Sequence, residues 1–396
     1  MASLGVTGKL CSMSEQKNVH IFLINSVWHL FIAQLMVIEK SKDDEFYLWI
    51  AERGELVHSL AENPILVRSL WSKVECFTNE DVFGGFKLVN VLGFKHISDC
   101  FYEKHLMQYK LDKFFNINCY LFNDVNRSTQ FFFNHLSYSH SVVLNIVDEG
   151  FNSYLPYTLK ARHSAWFITL INTIKAILIG KNSPANVFKL EEYVPDNYLM
   201  IFDDVYSQLY STKKNIFSLK KYLNIKNISD LYLKNNAINS FDFGVNKPFL
   251  LYLTQPLYND GLIIEKEEIN LAIELKHFCK KNDLCLIIKS HPRESKEYIR
   301  EYKELEEKNN CIVIDEYYLP IEILVCKNKP TICCGFFSTS LCNVPILTGA
   351  KSYSFLPSLS NKTSYRWQRK FSKTYELYKH FNGYVEMITD IEQIQI

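Results

Sequence analysis

The sequence predicts an α/β protein built from two doubly wound parallel sheets that face a central cleft. Three observations carry this. Short apolar or β-branched runs alternate with segments of helical spacing, the pattern of parallel strands joined by crossover helices. The alternation stops in a polar, Asn- and Lys-rich stretch over residues 181–247 and then restarts. The chain has 396 residues and is 47% hydrophobic, enough to fill two separate cores.

In the first unit, VHIFLINS (19–26) reads as a strand and WHLFIAQLMVIEK (28–40) as the helix after it. FYLWIAE (46–52) precedes LVHSLAENPILVRSL (56–70), and KVECFT (73–78) precedes a longer mixed region. CYLFND (119–124) precedes RSTQFFFNHLSY (127–138), and VVLNIVDEG (142–150) follows. Ligands on such sheets collect outside the carboxyl ends of the strands. Asn25, Asp124, Asp148 and Glu149 fall at those ends. Trp28, His29 and His135 read as helix packing.

The second unit repeats the pattern. KPFLLYLTQP (247–256), DLCLIIKSHP (283–292), CIVID (311–315) and PTICCG (330–335) read as strands. KEEINLAIELKHFCKK (266–281), ESKEYIREYKELEEK (294–308), LPIEILVCK (319–327) and FSTSLCN (337–343) read as the helices that follow them. The expected division is 19–246, 247–363 and a helical tail, 364–396. In that tail, SYRWQRKFSKTYELYKHF (364–381) sets Arg366, Arg369, Lys370, Lys373 and Lys379 among aromatics. Such a helix packs back across both domains or lies on an anionic membrane surface.

Four strand-to-helix junctions of the second unit, TQPLYNDG, KSHPR, PIEIL and FFSTS, bring polar groups to one sheet edge. A helix start there exposes free N–H groups that favour a phosphate. Ser338, Thr339 and Ser340 add hydroxyls, and Pro292 holds His291 extended just past its strand. Each fragment alone is more often a turn or a cap; their joint placement is what points to a site. Two facing units of this kind suggest the two-domain GT-B architecture of glycosyltransferases.

Composition narrows the classes. Net charge is +1, from 44 basic and 43 acidic residues, so no global charge calls for nucleic acid. The eleven Cys lack metal spacing, and the adjacent Cys333 and Cys334 point to opposite faces of a strand. All are expected to be reduced thiols of a cytoplasmic protein. The first eighteen residues lack the apolar run of a secretory signal. AWFITLINTIKAILIG (165–180) contains Lys175 and falls short of the ~20 apolar residues of a membrane span. FDDV (202–205) has adjacent rather than alternate carboxylates, so it reads as a strand end or helix cap before a metal site.

DEG (148–150), HP (291–292) and the pair Thr339–Ser340, in that order, resemble the bacterial sialyltransferase signature: Asp/Glu-Asp/Glu-Gly, His-Pro, Ser-Ser/Thr. Lys289 matches KxHP, and TQPL (254–257) resembles a strand-end motif of the same group. The resemblance covers roughly residues 19–345 and is closest to glycosyltransferase family 52. It implies CMP-sialic acid as donor, inversion at the anomeric carbon, and no cofactor or divalent metal.

The resemblance also implies roles. Glu149 is the general base and Asp148 its neighbour, which would raise its pKa by like-charge repulsion. Asp260, in YNDG, is the rival base. The nucleotide side would comprise Thr254, Gln255, Lys289, His291, Pro292, Glu322 (at the ribose), Gly335, Ser338, Thr339 and Ser340. Asn25 and NRSTQ (126–130) are candidates for the acceptor sugar, against a plain polar helix cap. The implied acceptor is a galactoside on lipooligosaccharide, O-antigen or capsule, reached from the inner face of the plasma membrane. The alternatives are a CMP-Kdo-dependent Kdo transferase and a nucleotide-sugar-binding protein without turnover.

Overall fold

The computed structural model describes residues 17–41, 43–52, 60–78, 111, 116–122, 133, 136, 140–154, 195–213, 215–233, 243–316 and 319–396. Asp124, the NRSTQ segment, His135 and the apolar run 165–180 lie outside the described residues.

The first sheet has seven parallel strands: β1 (Val19–Ile24), β2 (Glu45–Glu52), β3 (Lys73–Thr78), β4 (Ile117–Leu121), β5 (Val142–Val147), β6 (Asn197–Met200) and β7 (Ile216–Ser218). Their order is β3-β2-β1-β4-β5-β6-β7. All six residues of β1 are buried, as expected for a central strand covered on both faces. Helix α1 (Val27–Val37) follows, its first turn capped where Ser26 Oγ accepts the His29 N–H at 3.2 Å. It is apolar nearly all round and buried from His29 to Val37. A short α2 (Phe151–Tyr154) follows β5, and α3 (Asp203–Leu209) follows β6.

Two strands of the first sheet were not expected, nor were Lys351–Ser354 and Glu386–Met387 of the second. β6 and β7 lie inside the polar stretch 181–247 and extend the first sheet to its edge. At four and three residues they are too short for their alternation to stand out. Residues 60–70, the described part of the run 56–70, also differ from a single helix. Asn63 Oδ1 accepts the Ile65 N–H, Pro64 follows Asn63, and only a 3₁₀ turn at Arg68–Leu70 comes after.

The second sheet has six parallel strands: β8 (Phe249–Leu253), β9 (Cys285–Lys289), β10 (Cys311–Ile314), β11 (Ile332–Gly335), β12 (Lys351–Ser354) and β13 (Glu386–Met387). The order β10-β9-β8-β11-β12-β13 is that of a dinucleotide-binding sheet. The strand order reverses between β8 and β11, where such sheets open a crevice. β8 and β9 are buried throughout. Helices α5 (Glu267–Lys281), α6 (Lys296–Lys303), α7 (Ile321–Lys327) and α8 (Ser340–Thr348) follow β8, β9, β10 and β11; α4 (Ile225–Ile228) precedes β8.

Residues 364–396 hold α9 (Tyr365–Lys379) and then β13, which adds to the second sheet. Tyr378 stacks on Phe151 of the first lobe with ring centroids 4.6 Å apart, and Phe381 meets Tyr154 and Phe202 edge-on. The tail thus ties the two lobes together. Tyr365, at its start, is 91% exposed. Among the described residues no helix is long and apolar enough to cross a membrane. The nine described cysteines are all free thiols, and eight are buried.

Candidate active site between the lobes

A cavity of about 250 Å³ opens where the carboxyl ends of the two sheets face each other. Val27, Trp28 and Glu149 line it from the first lobe. The second lobe contributes Thr254, Lys289, Ser290, His291 and Pro292 from the ends of β8 and β9. It also contributes Pro320 and Glu322 at the start of α7, and Ser338, Thr339, Ser340 and Asn343 around the start of α8.

The two carboxylates of DEG part company. Asp148 is fully buried. Its Oδ1 accepts the Gly150 N–H at 2.7 Å; its Oδ2 accepts the Ile201 N–H at 3.0 Å and the Tyr154 hydroxyl. It is a brace for the loop. Glu149 is half-buried and faces the cavity, while its backbone N–H is held by Ser153 Oγ at 2.8 Å. Gly150 has φ +104°, a conformation that glycine adopts without strain. A β-carbon there would sit 2.6 Å from Thr339 Oγ1.

Across the cavity, His291 stands at the end of β9. Its backbone N–H donates to Thr254 Oγ1 at 3.0 Å, and its Nδ1 accepts the Arg293 N–H at 3.1 Å. With Nδ1 accepting, the neutral ring carries its proton on Nε2. Burial, helped by the charge of Arg293, holds the imidazole pKa down at about 4, so the ring is neutral at pH 7. Lys289 is buried, with Nζ donating to the carbonyls of Glu316 at 2.9 Å and Ser290 at 3.2 Å. Burial lowers its pKa to about 8, against the pull of Glu316, Asp315 and Glu322. It still carries charge at neutral pH.

Glu322 is also buried, and burial pushes its pKa up. Ser340 Oγ and Asn343 Nδ2 both donate to its Oε1, at 2.8 and 2.9 Å. Ser340 is thus committed to Glu322. Thr339 Oγ1 accepts the Phe151 N–H at 3.0 Å from the first lobe and keeps its own proton to donate. The N–H groups of Ser338, Ser340, Leu341 and Cys342 are taken, so among the described residues the donors left at the start of α8 are the Ser338 and Thr339 hydroxyl protons and the Thr339 N–H, which can face an anion. Ser338 is held by Tyr378, whose hydroxyl accepts its N–H at 2.9 Å and donates to its C=O at 3.2 Å.

Some expected residues stand behind the cavity. Gln255 Oε1 accepts the Phe337 N–H at 3.0 Å and pins the loop after β11. Gly335 permits close packing of β11 on β8, because a β-carbon there would meet the Leu253 carbonyl oxygen at 2.7 Å. Asp260 is outside the cavity lining and pairs with Arg293 at 2.8 Å. Asn25 is not in the lining either; its N–H points to His29 Nδ1 at 3.4 Å. Trp28, read from sequence as packing, does line the cavity, as do Ser290 and Asn343, which the motifs do not flag. In FDDV, Asp203 accepts from Ser218 at 2.8 Å, and Asp204 is held by Lys220 and Tyr384. Among the described residues no group of three or more His, Cys, Asp or Glu side chains is placed to hold a metal ion.

Comparison with known proteins agrees with this architecture. By structure, the chain is similar to UDP-GlcNAc 2-epimerase from Methanocaldococcus jannaschii: TM-score 0.52, 12% identity, 91% of this chain and 92% of that one covered. It is also similar to the GT-B domain of a sialyltransferase from Photobacterium damselae: TM-score 0.48, 10% identity, 93% and 99% covered. At such identities the likeness is one of fold. A comparison with curated proteins by sequence finds no match. The family model described as Alpha-2,8-polysialyltransferase matches residues 20–357, from β1 to beyond the last cavity residue. That match does not show family 52, the placement expected from motif order. The chain belongs to the alpha-2,8-polysialyltransferase family.

Proposed function

We propose that the protein is an inverting sialyltransferase that takes sialic acid from CMP-sialic acid. The proposed acceptor is the hydroxyl of a terminal sugar on a surface glycan or glycolipid. The family points to an acceptor that already ends in sialic acid, so that the product grows through α-2,8 links. The observation that supports this best is the pairing of Glu149 with His291 across one cavity, from opposite lobes.

In this reading the acceptor hydroxyl gives its proton to Glu149 as its oxygen attacks the anomeric carbon. The bond from that carbon to the phosphate oxygen breaks on the opposite side, and CMP leaves with the electron pair. Configuration inverts. Negative charge grows on the phosphate as the bond breaks. The Nε2–H of His291, the ammonium of Lys289, and the Ser338 and Thr339 hydroxyls with the Thr339 N–H at the start of α8 favour that charge. Glu322 accepts from a ribose hydroxyl. No divalent metal or cofactor takes part. The enzyme works at the cytoplasmic face of the membrane, and the exposed Tyr365 of the basic α9 is the proposed point of contact with anionic lipid.

The test is incubation of the purified protein with CMP-Neu5Ac or CMP-Kdo and two labelled acceptors, a galactoside and a short α-2,8-oligosialoside, with products read by mass spectrometry. Stepwise sialic acid additions, unchanged in EDTA, are expected on the oligosialoside. Transfer from CMP-Kdo alone, or CMP binding with no product from either donor, would replace this reading.

A further inference from the structure

We propose that Glu294 is a positioning residue for His291, setting its backbone and the direction of its ring through the hydroxyl of Thr254. The inference rests on His291 acting as a donor to the departing phosphate.

Four hydrogen bonds close on the turn 291–294. His291 N–H donates to Thr254 Oγ1 at 3.0 Å, and that hydroxyl donates to Glu294 Oε1 at 2.8 Å. The Glu294 N–H returns to the His291 carbonyl at 3.0 Å, and the Arg293 N–H holds His291 Nδ1 at 3.1 Å. The chain has one polarity. A hydroxyl has a single proton, so Thr254 presents a lone pair to His291 when it spends that proton on Glu294. The carboxyl therefore sets the rotor that fixes the histidine.

A second observation concerns what surrounds that carboxyl. Glu294 is 9% exposed, and among the described residues its Oε2 has no hydrogen-bond partner. The same holds for Glu268 Oε2 and the Tyr298 hydroxyl. Glu268, from α5, uses its Oε1 to accept the Tyr258 N–H at 2.9 Å. Unpaired buried acceptors are costly, and this group relieves the cost by holding a proton or an internal water. The charged and titratable groups around Glu294 are Glu268, Asp260 after β8, Arg293 in the turn, Tyr252 on β8, and Tyr298 and Tyr302 on α6. Burial, with repulsion from Glu268 and Asp260, raises the Glu294 pKa to about 7, against the Thr254 bond and Arg293. As pH falls through neutrality the group thus changes from a carboxylate that only accepts, at Oε1, to an acid that can also donate. A proton on Oε1 removes the acceptor of the Thr254 hydroxyl, which then turns away and loosens His291.

The experiment is hydrogen exchange at the His291 amide from pH 6 to 8, with CMP-Neu5Ac kinetics alongside. It uses the wild type, Glu294→Gln, Thr254→Val and the double variant. The wild-type protection factor should rise about tenfold across that range while KM for the donor falls. Glu294→Gln should flatten both profiles. Thr254→Val should lower protection about tenfold, and the double variant should add little to it. Flat wild-type protection, matching profiles in Glu294→Gln, or additive effects would overturn the proposal. The exchange data stand without turnover. A wild type with no transfer but the expected exchange pattern would therefore strike the reaction assignment and leave the relay in place.

Discussion

The hydroxyl of Thr339 in the second lobe accepts the N–H of Phe151 in the first lobe at 3.0 Å. This one bond joins two of the sequence signatures, since Phe151 follows DEG and Thr339 opens the Ser/Thr pair. It holds the loop that carries Glu149 against the start of α8. The glycine of DEG has a mechanical reason, because any side chain at 150 would strike that hydroxyl.

Gly150→Ala is expected to lose both stability and rate. The position combines φ +104° with a 2.6 Å approach to Thr339 Oγ1. Strained left-handed backbone costs on the order of 1–3 kcal/mol. Displacing the loop by about an ångström should lower transfer on the order of 10²-fold. Urea unfolding and initial rates check this; wild-type rates in a folded variant would show that catalysis does not need the contact.

The adjacent carboxylates should respond in opposite ways. Glu149→Gln should fold normally, bind CMP with nearly unchanged affinity in calorimetry, and lose on the order of 10²–10⁴ in kcat. Asp148→Asn should be unstable instead. Its carboxylate accepts from Gly150, Ile201 and Tyr154. An amide offers one acceptor oxygen and turns its NH₂ towards a donor, at about 1–3 kcal/mol. An Asp148→Asn variant as stable as the wild type would remove its bracing role.

Why the motifs could be found, and their supports could not, follows from how far each signal reaches along the chain. DEG, HP and the Ser/Thr pair were legible because strand ends are, and a ligand crevice lies beyond strand ends. That one carboxylate of DEG braces and the other faces out follows from neighbours on extended chain pointing apart. Which one does which depended on Tyr154 and Ile201, six and 53 residues from Asp148. Asn343 was within reach of sequence reasoning: three residues beyond Ser340, it shares a helix face with it and binds the same Glu322 oxygen. Tyr378 was not, because its grip on Ser338 spans 40 residues and no local pattern encodes it. β6 and β7 were missed for their shortness, and Trp28 because a helix aromatic is usually core.

Stability should fall on the acid side. Burial lowers the pKa of His29 to about 3, and that of His20 to about 4 with help from Lys40. Unfolded histidine titrates near 6.5, so below that pH the unfolded chain takes up protons that the folded chain refuses. The stabilisation is complete above about pH 6.5 and is lost as pH falls towards 4, at roughly 1.4 kcal/mol per pH unit per group. Glu294, with its raised pKa, runs the other way between its unfolded value and about 7 and offsets about one histidine, whereas His291, also lowered to about 4, adds to the loss in acid. The urea midpoint should therefore drop from pH 6.5 to 4.5. His29→Gln should reduce the slope by about one proton; an unaltered slope would clear His29 as a source.

Tyr378→Phe probes whether the C-terminal helix acts on the site. The hydroxyl is buried; it accepts the Ser338 N–H and donates to the Ser338 carbonyl. Removing it leaves the Ser338 N–H unpaired at the mouth of α8, at about 1–3 kcal/mol, while the carbonyl keeps the Leu341 N–H at 3.1 Å. The ring remains, so its stacking on Phe151 at 4.6 Å survives and the lobes stay joined. If Ser338 serves the phosphate, KM for CMP-Neu5Ac should rise about five- to tenfold while Glu149 chemistry is intact, so kcat should change less. Equal losses in kcat and kcat/KM would instead place the effect at the transition state. A drop in melting temperature with unchanged kinetics would make Tyr378 a purely structural tie.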